Sequence, residues 1–278
     1  MPFPELTGSL CLRVGLSEVD HMVSWLSAMG KIDGDPFGAE VRRFGQATAL
    51  AGKGEASLGP LFNRVIGFTD GEVGRLDEIV GYYTAKRLPC RIDVHPYAVG
   101  TATMRRLVEA GFYPFRHHDH LVGVPSDDLL PLPTEVVVRE AGGEDRAAVA
   151  AILSAGFVEV TGIKPESQHA FTAATANLIG EPGWTFFLAL WEGTAAGVAA
   201  LYVEGGVGSV VMAATRPEFR GRGCQAALLR ARLRSAAVQG CDLVAAQAAL
   251  DVTSHRNMER AGLRVAYTRT FWLRPFSS

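Results

Sequence analysis

The sequence has little with which to cross-link itself. Four cysteines occur in 278 residues, Cys11, Cys90, Cys224 and Cys241. They lie far apart, form no Cys-x-x-Cys pair and have no histidine beside them at metal-ligand spacing, which argues against a disulfide framework, structural zinc and any other metal site. Long apolar runs are missing as well. None approaches the roughly 20 residues needed to cross a bilayer, so no membrane partner is expected. Nor does charge of one sign dominate. Lys+Arg 27 against Asp+Glu 29 leaves a formal net charge of -2, which removes the general electrostatic reason to expect nucleic acid as a partner. Any phosphate-binding charge must therefore be local. The opening MPFPELTGSLCLRVG has no basic stretch followed by an apolar core, and a cytoplasmic protein is the expectation.

What is present is a globular composition, 48% apolar and 20% charged, on a chain long enough for two cores of about 120 to 150 residues each. Val124 to Thr134 carries Pro125, Pro131 and Pro133 with the acidic pair Asp127-Asp128. Proline restricts itself and its predecessor to extended conformations, so this segment divides the chain into domains at 1–126 and 134–278, joined by a linker at 127–133.

The second half reads as a mixed α/β domain. Glu135–Arg139 opens as a strand, and Gly143–Phe157 follows as a helix with Val149, Ile152 and Leu153 at helical spacing. After a partly helical stretch at 158–183, the apolar runs Trp184–Trp191 and Ala196–Val203 flank Glu192-Gly193-Thr194, which suits a hairpin. Next come a strand at Ser209–Thr215, a helix at Cys224–Gln239, a strand at Asp242–Ala249, a short helix at Asn257–Ala261 and a strand at Arg264–Leu273. In the long helix Ala226, Leu229, Leu233 and Ala236 mark the core side, while Arg230 and Arg234 share another face. The first half echoes this order. A strand at Cys90–His95, a helix at Ala102–Gly111 and then Phe112-Tyr113 parallel the helix ending at Gly262 and followed by Leu263-Arg264. Tyr82-Tyr83 reads as a helix face against a core.

The chemistry concentrates in Thr215-Arg216-Pro217-Glu218-Phe219-Arg220-Gly221-Arg222-Gly223-Cys224-Gln225-Ala226. Two glycines allow a sharp turn with its N–H groups pointing outward, and the helix behind them adds free amide donors and a positive dipole end. With Arg220 and Arg222 flanking it, such a turn suits a pyrophosphate. Gly221-x-Gly223-x-x-Ala226 also fits a dinucleotide fingerprint. That reading fails on context, because five residues separate the strand end from the first glycine and too little chain follows to complete a dinucleotide sheet.

This stretch resembles the cofactor motif of the GNAT acetyltransferases, a strand, a Pro-containing turn and an RxxGxG/A loop that opens a helix. Gln225 stands where the motif ends in a small residue. Ser254-His255-Arg256-Asn257-Met258-Glu259-Arg260-Ala261-Gly262-Leu263 is similar to the GNAT C-terminal motif, a short helix ending in Gly-Phe. The resemblance implies two GNAT-like domains in tandem, the first degenerate and lacking any arginine-flanked glycine pair. It implies acetyl-CoA as co-substrate, with the pantetheine arm on Met212, Ala213, Ala214 and Thr215. The pyrophosphate falls on Arg220, Gly221, Arg222, Gly223, Cys224 and Gln225, and Ser254 and Asn257 line the far wall. The implied reaction is acyl transfer to an amine of a small molecule or peptide, by a monomer or homodimer. The alternative is a protein that senses acyl-CoA without turnover, since Met258 stands where many relatives carry a tyrosine that protonates the departing thiolate. Tyr267 or water is the substitute acid and Glu204 the first candidate base, with Glu166 and His169 behind it. Cys224 reads as core filler.

Overall fold

The computed structural model describes residues 3–53, 59, 61–126, 135–157, 165–250 and 252–276, so the expected linker at 127–133 lies outside the described residues. The chain divides into two compact units. The first comprises Leu6–Asp119, Thr161–Ser167 and Tyr267–Ser278, and the second comprises Met1–Glu5, His120–Val160 and Gln168–Ala266.

The first unit opens with α1 (Gly8–Gly30), whose N-cap Thr7 accepts the Leu10 N–H at 3.2 Å. Strands β1 (Glu40–Phe44), β2 (Ala47–Ala51) and β3 (Arg64–Phe68) form an antiparallel meander. Helix α2 (Leu76–Ala85) crosses to β4 (Cys90–Val94), which pairs with β3 in parallel. Then α3 (Thr101–Glu109) leads into β5 (Tyr113–Gly123), which ends in the second unit. The core gathers Phe44, Val65, Phe68, Ile79, Ile92 and Leu107. Tyr82 and Tyr83 are both buried, as expected, and the Tyr83 hydroxyl donates to the Leu50 carbonyl at 2.9 Å.

The second unit runs β6 (Val136–Glu140), α4 (Arg146–Phe157), α5 (Pro165–Ala176), β7 (Trp184–Trp191), β8 (Thr194–Glu204) and β9 (Val207–Thr215). It continues with α6 (Cys224–Val238), β10 (Leu243–Ala249) and α7 (Thr253–Arg260). Strands β6 to β9 form an antiparallel meander, and β10 lies parallel to β9. A closing strand, β11 (Arg264–Arg274), starts in this unit and from Tyr267 onward belongs to the first, where it pairs with β4. The β7–β8 hairpin has the expected turn, with Glu192 and Gly193 at φ 47° and 81°. Positive φ at both central positions matches the twist of the flanking strands.

Two expectations are corrected. The helix predicted at Asn257–Ala261 begins one turn earlier, at Thr253. In α6, Ala226 is exposed, and the buried side instead includes Cys224, Ala227 and Leu228 with Leu229, Leu233 and Ala236.

The echo between the halves extends to backbone detail. Helices α3 and α7 both end through a glycine in the left-handed region, Gly111 at φ 83° and Gly262 at φ 89°. In each, the next N–H reaches back over the last turn, Phe112 to the Leu107 carbonyl and Leu263 to the Met258 carbonyl, both at 3.0 Å. This is a Schellman closure, which glycine adopts without Cβ strain.

Candidate active site

The site is built on an irregularity in β9. Its register with β8 passes from Val198↔Ala214 to Ala200↔Val211, so Met212 and Ala213 together oppose Ala199. Met212 sits at φ 52°, a left-handed conformation uncommon for a side chain of this size. An inserted residue bends a strand and breaks its ladder. On the other edge, the parallel pairs with β10 run from Val207↔Leu243 to Val210↔Ala246 and stop. From Val211 to Thr215 the β10-facing main chain therefore has no strand pairing among the described residues. Gly156 of α4 lets that helix close on this stretch, since a Cβ there would stand 2.6 Å from the Ala214 Cβ. The Thr215 hydroxyl is buried without a hydrogen-bond partner.

Beyond Thr215 the chain makes one 3-10 turn over Pro217–Phe219, closed by Phe219 N–H to the Arg216 carbonyl at 3.0 Å. Gly221 and Gly223 then take φ 78° and 82°, and Gly223 is the N-cap of α6. No side chain caps this helix start. Among the described residues, the N–H groups of Gly221, Arg222, Gly223, Gln225 and Ala226 have no backbone partner in the turn. Several donors and the positive end of a helix four turns long thus point out of the protein together. Arg220 and Arg222 are exposed beside them. The Arg222 guanidinium is held over the Trp191 ring at 5.0 Å and the Phe219 ring at 5.8 Å, so its charge is positioned at low entropic cost. Cys224 is 1% exposed, and burial raises its thiol pKa. Its side chain fills core, while its N–H remains part of the helix start.

Helix α7 presents Ser254 and Asn257 half-buried, with Asn257 Oδ1 accepting from Arg260 Nη1 at 3.1 Å. Met258 packs into the core of the second unit, so a thioether occupies the position where the family motif carries a phenol.

Within the second unit, the candidate base Glu204 lies apart from this arrangement. Glu204 is exposed at the far end of β8 and pairs with Val207. Five residues of strand, about 17 Å, separate Val207 from Met212. Tyr267 belongs to the first unit, its ring 4.2 Å from that of His95 and its hydroxyl pKa raised by burial. The Glu166 side chain lies outside the described residues. His169 lines a groove of about 700 Å³ between α4 and α5 with Arg146, Ala150, Ser154 and Asn177.

The corresponding turn of the first unit is closed by its own carboxylates. After β3, Glu72 accepts the N–H groups of Thr69 at 3.2 Å and Gln46 at 3.0 Å, and Asp70 accepts that of Gly100 at 2.9 Å. Asp77 and Glu78 follow in the first turn of α2. An incoming anion would meet negative charge and occupied donors.

Sequence reasoning missed two features. Arg232 of α6 is 1% exposed, although it lies between Arg230 and Arg234, which read as a basic solvent face. Its spacing of four from both Leu228 and Ala236 was the available signal. The second is a buried ion network in the first unit. Arg64 contacts Asp93 at 2.6 Å and Glu18 at 3.1 Å, and Arg269 contacts Glu18 at 2.8 Å. These four residues come from separate elements, and no local pattern connects them.

The model of the Acetyltransferase (GNAT) family matches residues 148–263, which span the bulge, the turn and α7. No curated protein matches the sequence. Among solved structures, a GCN5-related N-acetyltransferase from Kribbella flavida shares 18% identity at a TM-score of 0.66, with 95% of each chain covered. One from Sphaerobacter thermophilus shares 17% identity at a TM-score of 0.59, covering 85% of this chain and 83% of its own. A tandem GNAT protein from the clavulanic acid biosynthesis pathway shares 15% identity at a TM-score of 0.52, covering 77% and 75%. At such identities the likeness speaks for the fold, and the family match speaks for the segment that carries the site. Residues 148–263 thus match the Acetyltransferase (GNAT) family, and the chain shares its fold with solved GNAT structures.

Proposed function

We propose that the protein is an acyl-CoA-dependent N-acyltransferase that binds CoA in its second unit and acts on an amine of a small molecule or peptide. The observation that carries this reading is the run from Val211 to Thr215, which among the described residues pairs with β8 but with no strand on its β10 side, followed by the uncapped start of α6. A pyrophosphate at residues 220–225 would take the outward N–H groups and the charge of Arg220 and Arg222. The pantetheine arm would then lie along Met212–Thr215 as an added strand, which brings the thioester to the bulge. Acetyl-CoA is the simplest such donor.

In the transfer, the amine nitrogen bonds to the thioester carbon, the carbon–sulfur bond breaks, and CoA leaves as thiolate. The protein contributes mainly by positioning and by donors at the oxygen that gains charge. A thiol of ordinary pKa near 8.5 departs at neutral pH without a dedicated acid, so a buried Met258 is compatible with turnover. A proton passing from the amine to Glu204 would travel through water, given the strand length between them. In this proposal the first unit binds no CoA, in keeping with its carboxylate-closed turn, and serves acceptor selection.

The test is calorimetry with CoA and with NADPH, followed by a thiol-release assay over a panel of amines. Saturable CoA binding and release of thiol with at least one amine are expected. Binding of NADPH with no response to CoA would overturn the assignment, and CoA binding with no thiol release for any amine would make the protein a sensor.

A further inference from the structure

Among the described residues, Arg232 is the largest fully enclosed side chain. Its guanidinium donates from Nε to the Leu228 carbonyl at 3.1 Å and from Nη1 to the Val211 carbonyl at 3.2 Å, while Nη2 is buried with no acceptor. No carboxylate pairs with it among the described residues. Burial alone pulls its pKa down to about 9, which leaves the group charged at pH 7. Two carbonyls thus partly solvate a full positive charge in the core of the second unit, and at least two N–H bonds remain unspent. An uncompensated buried cation is costly unless an anion meets it.

The position of this charge along the site is informative. Arg232 lies eight residues into α6, about 12 Å from the helix start. It bonds the residue immediately before the bulge, where the pairs between β9 and β10 have just ended. A pantetheine arm running from Thr215 toward Met212 brings the thioester to this level. The donor atoms that meet Nη2 are then those of the acyl group beyond the sulfur. A methyl group offers this cation nothing, whereas a carboxylate offers two acceptors and the missing charge.

We propose that Arg232 is a specificity-determining residue for the donor, and that the preferred acyl-CoA carries a short acyl chain ending in a carboxylate. The inference rests on CoA binding as set out above and narrows its acyl group. Nη2 and the free N–H of Nη1 face the carboxylate, and the bond to Val211 ties this recognition to the bulge that aligns the thioester.

The test compares affinities of the full-length protein for CoA, acetyl-CoA, malonyl-CoA and succinyl-CoA, in the wild type and in Arg232→Met. Malonyl- or succinyl-CoA should bind about tenfold or more tightly than acetyl-CoA, the effect of one charge-assisted hydrogen bond. In Arg232→Met that ratio should fall to about one while CoA itself binds as before. If the methionine variant fails to fold by circular dichroism, Arg232→Lys retains the charge without the planar fork, and the ratio should fall partway. Equal affinity for acetyl-CoA and the dicarboxylic donors in the wild type overturns the proposal, as does a preference that stays undiminished in either variant. Failure of the CoA site itself would show differently, as no binding of CoA at all.

Discussion

Replacing Gly223 with alanine tests the turn more sharply than removing its arginines, because it changes no charge. Gly223 caps α6 at φ 82° and ψ -4°. An alanine held there suffers contact between its Cβ and the neighbouring carbonyl, costing about 1–2 kcal/mol. The backbone relieves this only by rotating the peptide groups on either side, which turns the N–H of Gly223 or Cys224 away from its present direction. Each N–H lost to a charged acceptor costs about 1.5–3 kcal/mol, so CoA affinity should fall roughly 10- to 150-fold. Urea denaturation should register a loss of about 1–2 kcal/mol with an unchanged m-value. Gly221→Ala is a useful partner, since φ is also positive there but an added Cβ meets nothing within 4 Å. Calorimetric titration with CoA is the assay. If Gly223→Ala loses stability yet binds CoA as the wild type does, the pyrophosphate is not held by this bend.

Three further outcomes are expected. Arg222→Ala should weaken CoA binding by about 1.5–3 kcal/mol, with little effect on the urea midpoint because Arg222 is exposed. Unchanged affinity in the titration would remove Arg222 from the site. Glu18→Gln removes a carboxylate that faces both Arg64 and Arg269, which should destabilise the protein by about 3–5 kcal/mol; a urea midpoint within error of wild type would show that the network tolerates net charge. Finally, burial lowers the pKa of His21 to about 4, from an unfolded value near 6.5. Its neutral form is therefore favoured by folding, and its contribution, about 3 kcal/mol, is complete above pH 6.5 and lost as pH falls toward 4. His118, lowered to about 4, and His95 act in the same direction. Urea midpoints from pH 7.5 to 4.5 should decline accordingly, and less steeply in His21→Gln; parallel pH profiles would refute the assignment.

What the sequence disclosed, it disclosed where backbone geometry narrows residue choice. Gly221, Gly223, Gly111 and Gly262 all occupy left-handed conformations, and the turns they form were legible from their neighbours alone. The β7–β8 hairpin was equally readable because Glu192-Gly193 has turn chemistry. Met212 was not. Any side chain is rare at its φ, so methionine gives no hint that the strand bulges there. Arg232 was hidden because a basic residue on a helix reads as solvent-facing unless its spacing to Leu228 and Ala236 is weighed first. Ala226 was misplaced because alanine suits both faces of a helix. Glu18, Arg64, Asp93 and Arg269 meet only through tertiary structure, and each alone looks like an ordinary surface charge.

The division of β5 and β11 between the units bears on how the chain is made. The first unit includes Tyr267–Ser278, so on the ribosome its strand set remains incomplete until β11 has been made. A product cut after residue 126 would carry α1 to β5 without the strand that pairs with β4, and one begun at residue 134 would lack the end of β5. Translation must deliver β11 before β4 has its antiparallel partner strand.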